Sequence, residues 1–241
     1  MDRKCYMCEK GATGDEHVPP KCLFPEKKDL PELDLRKNLM SVPSCDEHNS
    51  LKSKDDEYLL FVLISHFDNN QIAKIHFTTK IIRALKRNPR LMTIYKKRTK
   101  DVILNGEKTL AFQFNYHRIQ KELDHIARAL YFKAFNTGWR KRIGIHSPAM
   151  LTLEGRDAAL INQATQKMAA LAAIFFSDVP QLGENPEVFW YQLHAEPEND
   201  RLVVRMCFYQ GVEVIALSDP RMLQNAEQVA QEGRGKKTRA P

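Results

Sequence analysis

The sequence predicts an α+β fold: a small metal-held N-terminal module, then a mixed helical region that closes on an antiparallel β-meander. Three observations carry this. Two short knuckles, Cys5-x2-Cys8 and Cys45-x2-His48, flank a stretch poor in apolar periodicity. From Asp55 onward, apolar residues recur at helical spacing in successive segments. After Glu187, apolar strand-like runs alternate with turn-forming residues. The chain accordingly divides into a module over 1–58, an α+β domain over 59–225 and a basic tail over 226–241.

With 241 residues, 43% of them apolar and 28% charged, the chain is long enough to bury a sizeable core as a soluble protein. No apolar run approaches the roughly 20 residues that span a bilayer. Met1-Asp2-Arg3-Lys4 has no apolar stretch behind it, so no signal peptide is expected and the expected compartment is the cytoplasm. A net charge of +7 favours a polyanionic partner, because each neutralised phosphate releases counterions. The five cysteines do not form an even disulfide set. In a reducing compartment, three of them at ligand spacings point to metal instead. Cys207, between Met206 and Phe208, reads as a buried small hydrophobe.

The module has too few large hydrophobes to fold readily alone, and a structural metal would remedy that. Cys5, Cys8, Cys45 and His48 supply three thiolates and one imidazole, a set suited to closed, tetrahedral zinc. Within the stretch they bracket, Glu16 and His17 are adjacent, so in an extended strand their side chains point to opposite faces. One can hold a metal while the other faces a substrate. His17 is suited to take a proton from water, and an oxygen ligand from Glu16 suits magnesium or manganese. Pro19-Pro20 keeps the chain extended beyond the pair.

A helix begins at Asp55-Asp56-Glu57, whose carboxylates favour the helix dipole. Tyr58, Leu59, Phe61, Val62, Leu63 and Phe67 form its expected buried face. After the break at Asp68-Asn69-Asn70, a second helix runs from Gln71 to about Lys86 and stops at Asn88-Pro89. Arg87, Arg90, Lys96, Lys97 and Arg98 follow, either as a solvated helix end and loop or as a phosphate-contacting surface. Asn105-Gly106 between two apolar runs predicts a β-hairpin. Asn115 caps a helix reaching about Phe135, with Ile119, Leu123, Ile126 and Leu130 as its stripe, which Phe132 extends, and Asn136-Thr137-Gly138 as its stop.

Arg140, Lys141 and Arg142 follow Trp139, either as solvated charges beside a core tryptophan or as a nucleic-acid contact. The Ala-rich segment from Gly155 to Ser177 reads as a buried helix, with Ile161, Met168, Leu171 and Phe175 facing the core. Val188–Leu193, Arg201–Tyr209 and Val212–Leu217 are the strands of the meander. The end of the tail, Gly233–Pro241, lacks hydrophobes and is expected to be disordered.

Taken together, Cys5-x2-Cys8, Glu16-His17-Val-Pro-Pro, Asn38-Leu39 and Cys45-x2-His48-Asn49 resemble the zinc-stabilised HNH endonucleases of the ββα-metal type, over about residues 5–58. The resemblance implies a hairpin-and-helix catalytic module. It implies His17 as general base, Glu16 as metal ligand beside it, Asn38 as the loop residue that orients the base, and Asn49 as a second ligand of a catalytic Mg2+ or Mn2+. The implied reaction is hydrolysis of phosphodiester bonds, with DNA favoured over RNA and Lys52 placed to touch a phosphate. Glu16 stands where the family more often has Asp, and Asn49 where it often has His. The other reading of the knuckles uses Cys22 for the structural site and leaves His48 to the catalytic ion. A different class of function, a zinc-stapled module that binds nucleic acid or protein without cutting, fits the same residues. Proteins resembling this arrangement occur in bacterial mobile-element and phage-defence settings, where the domain over 59–225 would dock a partner protein or a second copy.

Overall fold

The computed structural model describes residues 3–49, 53–87, 93, 96–104 and 106–221. Lys52, Arg90, the Asn88-Pro89 stop and the tail over 226–241 lie outside the described residues. The fold is mixed α+β, with helices and three antiparallel sheets among the described residues.

In the N-terminal module, β1 (Gly14–His17) pairs antiparallel with β2 (Ser41–Ser44), Glu16 opposite Val42 and His17 opposite Ser41. Only Cys45 separates β2 from the short helix α1 (Asp46–Asn49), whose Asp46 and Glu47 sit where the helix dipole favours carboxylates. The next helix, α2 (Ser53–Ile64), buries Leu59, Leu60, Leu63 and Ile64. Phe67, expected on that face, is 53% exposed. It lies past the last turn, so the helical period no longer sets its direction, and it stacks on His66 instead.

Asn70 caps α3 (Gln71–His76), its side chain accepting from the Ala73 amide at 3.1 Å. The helix continues to Arg87 through a π-helical stretch, Phe77–Ile81, into α4 (Ile82–Arg87). Thr78 and Thr79 both donate to the Ile75 carbonyl, at 2.9 and 2.8 Å. Two hydroxyls competing for one carbonyl of the preceding turn account for the widening there. β3 (Thr99–Leu104) and β4 (Glu107–Phe112) form the expected hairpin, with Gly106 at φ +84° in its turn.

The long helix α5 (Tyr116–Phe135) has the expected bounds, cap and stop. Asn115 accepts from the Arg118 amide at 3.1 Å, and Asn136 ends the helix at φ +53°. Ile119, Leu123, Ile126 and Leu130 are all buried, at about 1.5–3 kcal/mol each. This face packs against α2 and reaches β2, which ties the metal-bearing module to the rest of the chain. Trp139 is buried as well, so the core reading holds for the tryptophan.

The meander is the centre of a five-stranded antiparallel sheet, in the order β5-β9-β8-β7-β6. It is built from β7 (Phe189–Glu196), β8 (Arg201–Phe208) and β9 (Val212–Ser218), flanked by β5 (Gly144–His146) and β6 (Leu182–Asn185). The edge strands are short and mixed in polarity, so neither leaves an alternating pattern in the sequence.

The helix α6 (Ala158–Phe175) lies on β9, but of the expected buried face only Met168 packs inward, against Ala172, Phe176 and Ile215. Ile161, Leu171 and Phe175 are 48%, 68% and 53% exposed, while Ala169 and Ala172 are buried. Small side chains let the helix approach the sheet closely, and the large ones are turned outward. One continuous core runs from Cys5 to Ala216, with Cys207 buried beside it. No helix among the described residues is long and apolar enough to cross a membrane.

Candidate metal centre

Cys5 and Cys8 sit on a tight turn whose strands are joined by the Lys4–Gly11 bridge, while Cys45 and His48 belong to the β2–α1 junction. The Tyr6 amide donates to the Pro43 carbonyl at 3.0 Å and the Thr13 amide to the Ser44 carbonyl at 3.0 Å, which lays one knuckle against the other. His48 Nδ1 lies 3.7 Å from Cys5 Sγ, 3.7 Å from Cys8 Sγ and 3.2 Å from Cys45 Sγ. Cys8 Sγ is 3.8 Å from Cys45 Sγ.

These spacings fit a zinc ion. With Zn–S near ~2.3 Å and Zn–N near ~2.05 Å, tetrahedral edges are about 3.8 Å between sulfurs and about 3.6 Å between sulfur and nitrogen. Among the described residues, these four are the cluster whose ligand atoms converge within 4.8 Å. Cys22 is elsewhere, its Sγ 3.4 Å from the Asp56 carbonyl and its thiol pushed up to about 12 by burial and the Asp56 charge. The Met7 amide donates to Cys5 Sγ at 3.4 Å. Burial acts to raise the Cys5 thiol, but backbone amides outweigh it and hold the thiol below its ordinary range, while burial and the neighbouring thiols push Cys8 up, as crowded thiols do without a cation between them.

Two side chains from outside the knuckles brace this cluster. Arg140 Nη1 donates to the Tyr6 carbonyl at 2.9 Å and Nη2 to Glu9 at 3.3 Å, so the guanidinium grips the first knuckle. His125, on α5, meets the ring of His48. Lys141 pairs with Asp200 at 2.8 Å. Arg140 and Lys141 thus have internal partners; both are exposed, as are Arg142, Arg87, Lys96, Lys97 and Arg98.

Around the β1 strand, the two faces differ as alternation requires. Glu16 is buried and His17 exposed. Asn49 lies on the Glu16 side: a Cβ built on Gly14, two residues before Glu16 and on the same face, would be 3.9 Å from Asn49 Nδ2. Beside Glu16 is Tyr6, which also feels the charge of Glu122 on α5; Tyr6 and Glu122 are both buried. Burial first, then the neighbouring Glu16 carboxylate, pushes the Tyr6 phenol well above its ordinary range, so it stays protonated beside that carboxylate. Asn38 is exposed at φ +54°, a left-handed conformation that asparagine tolerates, in the loop entering β2.

Sequence reasoning missed Tyr6, Glu122 and His125. Tyr6 carries no signal beyond lying inside a knuckle. Glu122 and His125, one turn apart among the apolar positions of α5, are the kind of polar interruption that marks a buried polar contact. Compared with protein-family models, with curated proteins and with solved structures, the chain matches none of them.

Proposed function

We propose that the chain is a metal-dependent endonuclease of the HNH type that hydrolyses phosphodiester bonds in DNA, with zinc at Cys5, Cys8, Cys45 and His48 as a structural ion. One observation supports this above the others. A four-ligand cluster pins a hairpin that carries His17 on its open face and Glu16 on its inner face, on the side where Asn49 lies.

Each residue then has a separate task. His17, exposed at the end of β1, takes a proton from a water molecule on the open side of the hairpin. Asn38, held by its left-handed backbone in the loop that leads back to β2, orients the imidazole. Glu16 and Asn49 offer oxygen donors suited to Mg2+ or Mn2+. When bound, such an ion supplies positive charge to offset the charge that develops at the phosphate. The exposed Arg87, Lys96, Lys97, Arg98 and Arg142 add phosphate affinity.

Burial of Glu16 against Tyr6 favours a second reading, in which the carboxylate is structural and the chain is a zinc-stapled binding module that does not cut. Plasmid DNA incubated with Mg2+ or Mn2+ separates the two. The endonuclease gives metal-dependent nicking that His17→Ala abolishes while zinc content and Tm stay at wild-type values. Equal nicking by wild type and His17→Ala removes His17 as the base, and no nicking by either favours the binding module.

A further inference from the structure

The face of the hairpin that carries His17 does not end in open solvent. His17 and Ser41 are direct cross-strand partners, so their side chains share one face. Ser41 lines a groove of about 450 Å3, within the roughly 300–1,000 Å3 of small-molecule sites. Val18, the residue after His17, lines it too, as does Asn38. The opposite wall comes from the far end of the chain: strand β6 and Tyr191 of β7, with Lys133 of α5 at one side. The groove therefore begins at Ser41, the cross-strand partner of the candidate base, which does not itself line it, and runs to the edge of the five-stranded sheet.

Its walls are fixed relative to each other. Asn185 Nδ2 of β6 donates to the Lys37 carbonyl at 3.3 Å, next to Asn38. Gly183 stands at φ +137°, and a Cβ there would come within 2.6 Å of the Phe189 carbonyl, so only glycine lets β6 fold this tightly onto β7 at its register shift. The lining chemistry is mixed in a specific way. Val18 and the stacked ring pair Phe189–Tyr191 supply apolar wall, Asn38 supplies an amide, and exposed Lys133 and Glu184 supply one charge of each sign, the lysine from α5 and the carboxylate from β6.

We infer that this groove holds one unstacked nucleotide of a single-stranded nucleic acid, next to the phosphate presented to His17. Flat apolar wall suits a base, the amide suits a base edge, and the ammonium suits a phosphate. A space of one-nucleotide size admits a base only after it has left a duplex stack. The inference rests on the nuclease reading for the position of the phosphate, and it gives the C-terminal sheet a part in choosing the substrate.

Binding tests it without cleavage. The probes are a fluorescein-labelled 12-mer of mixed sequence and its duplex, titrated into full-length, zinc-loaded His17→Ala protein without added Mg2+. The single strand is expected to bind about tenfold more tightly than the duplex. Adding Leu182→Trp, which fills the groove from its rim, is expected to weaken single-strand binding about tenfold and leave duplex binding within twofold. Adding Lys133→Ala should weaken it about threefold, with zinc content and Tm unchanged in both. Equal affinity for the two probes, or single-strand binding indifferent to both substitutions, overturns the groove assignment and leaves the nuclease reading standing. Groove-dependent binding, together with failure of the wild type and Mg2+ or Mn2+ to cleave either plasmid or single-stranded circular DNA, does the reverse.

Discussion

His125 meets His48 edge to face, with ring centroids 6.2 Å apart and 72° between the planes. One histidine belongs to the metal cluster and the other to the buried face of α5, 77 residues later in the chain. The long helix thus reaches the imidazole whose Nδ1 faces three thiol sulfurs. Losing a group that orients a metal ligand typically costs about 10–100-fold in metal affinity.

Two substitutions probe that bracing. His125→Ala removes the ring against His48, and Arg140→Ala removes the guanidinium bonded to the Tyr6 carbonyl. Each is expected to weaken zinc binding by about 10–100-fold in competition with a chromogenic chelator. Helical content by circular dichroism should hold. An unchanged zinc affinity in Arg140→Ala would return that residue to the role of a surface cation.

Removing the metal should also destabilise the whole chain, because Cys5 and Cys45 belong to the continuous core. An ion present at about 1,000 times its dissociation constant stabilises the folded state by about 4 kcal/mol. At roughly 2–4 °C per kcal/mol for a chain of this size, stripping it lowers Tm by about 8–16 °C. Cys8→Ser is expected to reproduce most of that loss, whereas Cys22→Ser, outside the cluster, should bind one zinc per chain as wild type does. Metal analysis and a thermal melt on the same samples check both.

How legible each part was depended on what kind of signal it left. The metal set was readable because ligand spacing is local: Cys5 with Cys8, and Cys45 with His48. The helix Tyr116–Phe135 was readable from cap to stop because caps and apolar period agree. Alternation also put Glu16 and His17 on opposite faces, and the structure has Glu16 buried and His17 exposed. Edge strands Gly144–His146 and Leu182–Asn185 were not readable, since an edge of three or four residues needs only its neighbour's backbone. Nor was the placement of the Asn38 loop beside β6, which depends on the Asn185–Lys37 bond, 148 residues apart in sequence, that no local pattern encodes.

The helix α6 misled in an instructive direction, and its energetics can be checked. Periodicity reports that a helix has an apolar face, not that the face is covered. Leu171 and Ile174 are 68% and 72% exposed. Leu171→Gln and Ile174→Gln should each change stability by no more than about 0.5 kcal/mol in urea unfolding. Leu130→Ala, fully buried on α5, should cost about 2–5 kcal/mol. A cost above about 2 kcal/mol for Leu171→Gln would mean that its side chain is covered in solution.

The last expectation concerns acid. His76 is fully buried on α3, with its Nδ1 3.4 Å from the Tyr209 hydroxyl. Burial, then the charge of Lys80, lowers its pKa from about 6.5 to about 3. The folded state therefore keeps this imidazole neutral across a range in which the unfolded chain protonates it. Between about pH 6.5 and pH 3 the unfolded state binds more protons, so stability falls as pH falls, and above about pH 6.5 this contribution is flat. At pH 5 the penalty is roughly 2 kcal/mol relative to pH 7.5. His76→Asn keeps a polar group near Tyr209 but cannot titrate. Urea midpoints at pH 7.5 and pH 5 should therefore separate less for the variant than for wild type, even though carboxylates elsewhere titrate in both. An equal pH dependence in the two proteins would show that His76 is solvated enough to charge in place.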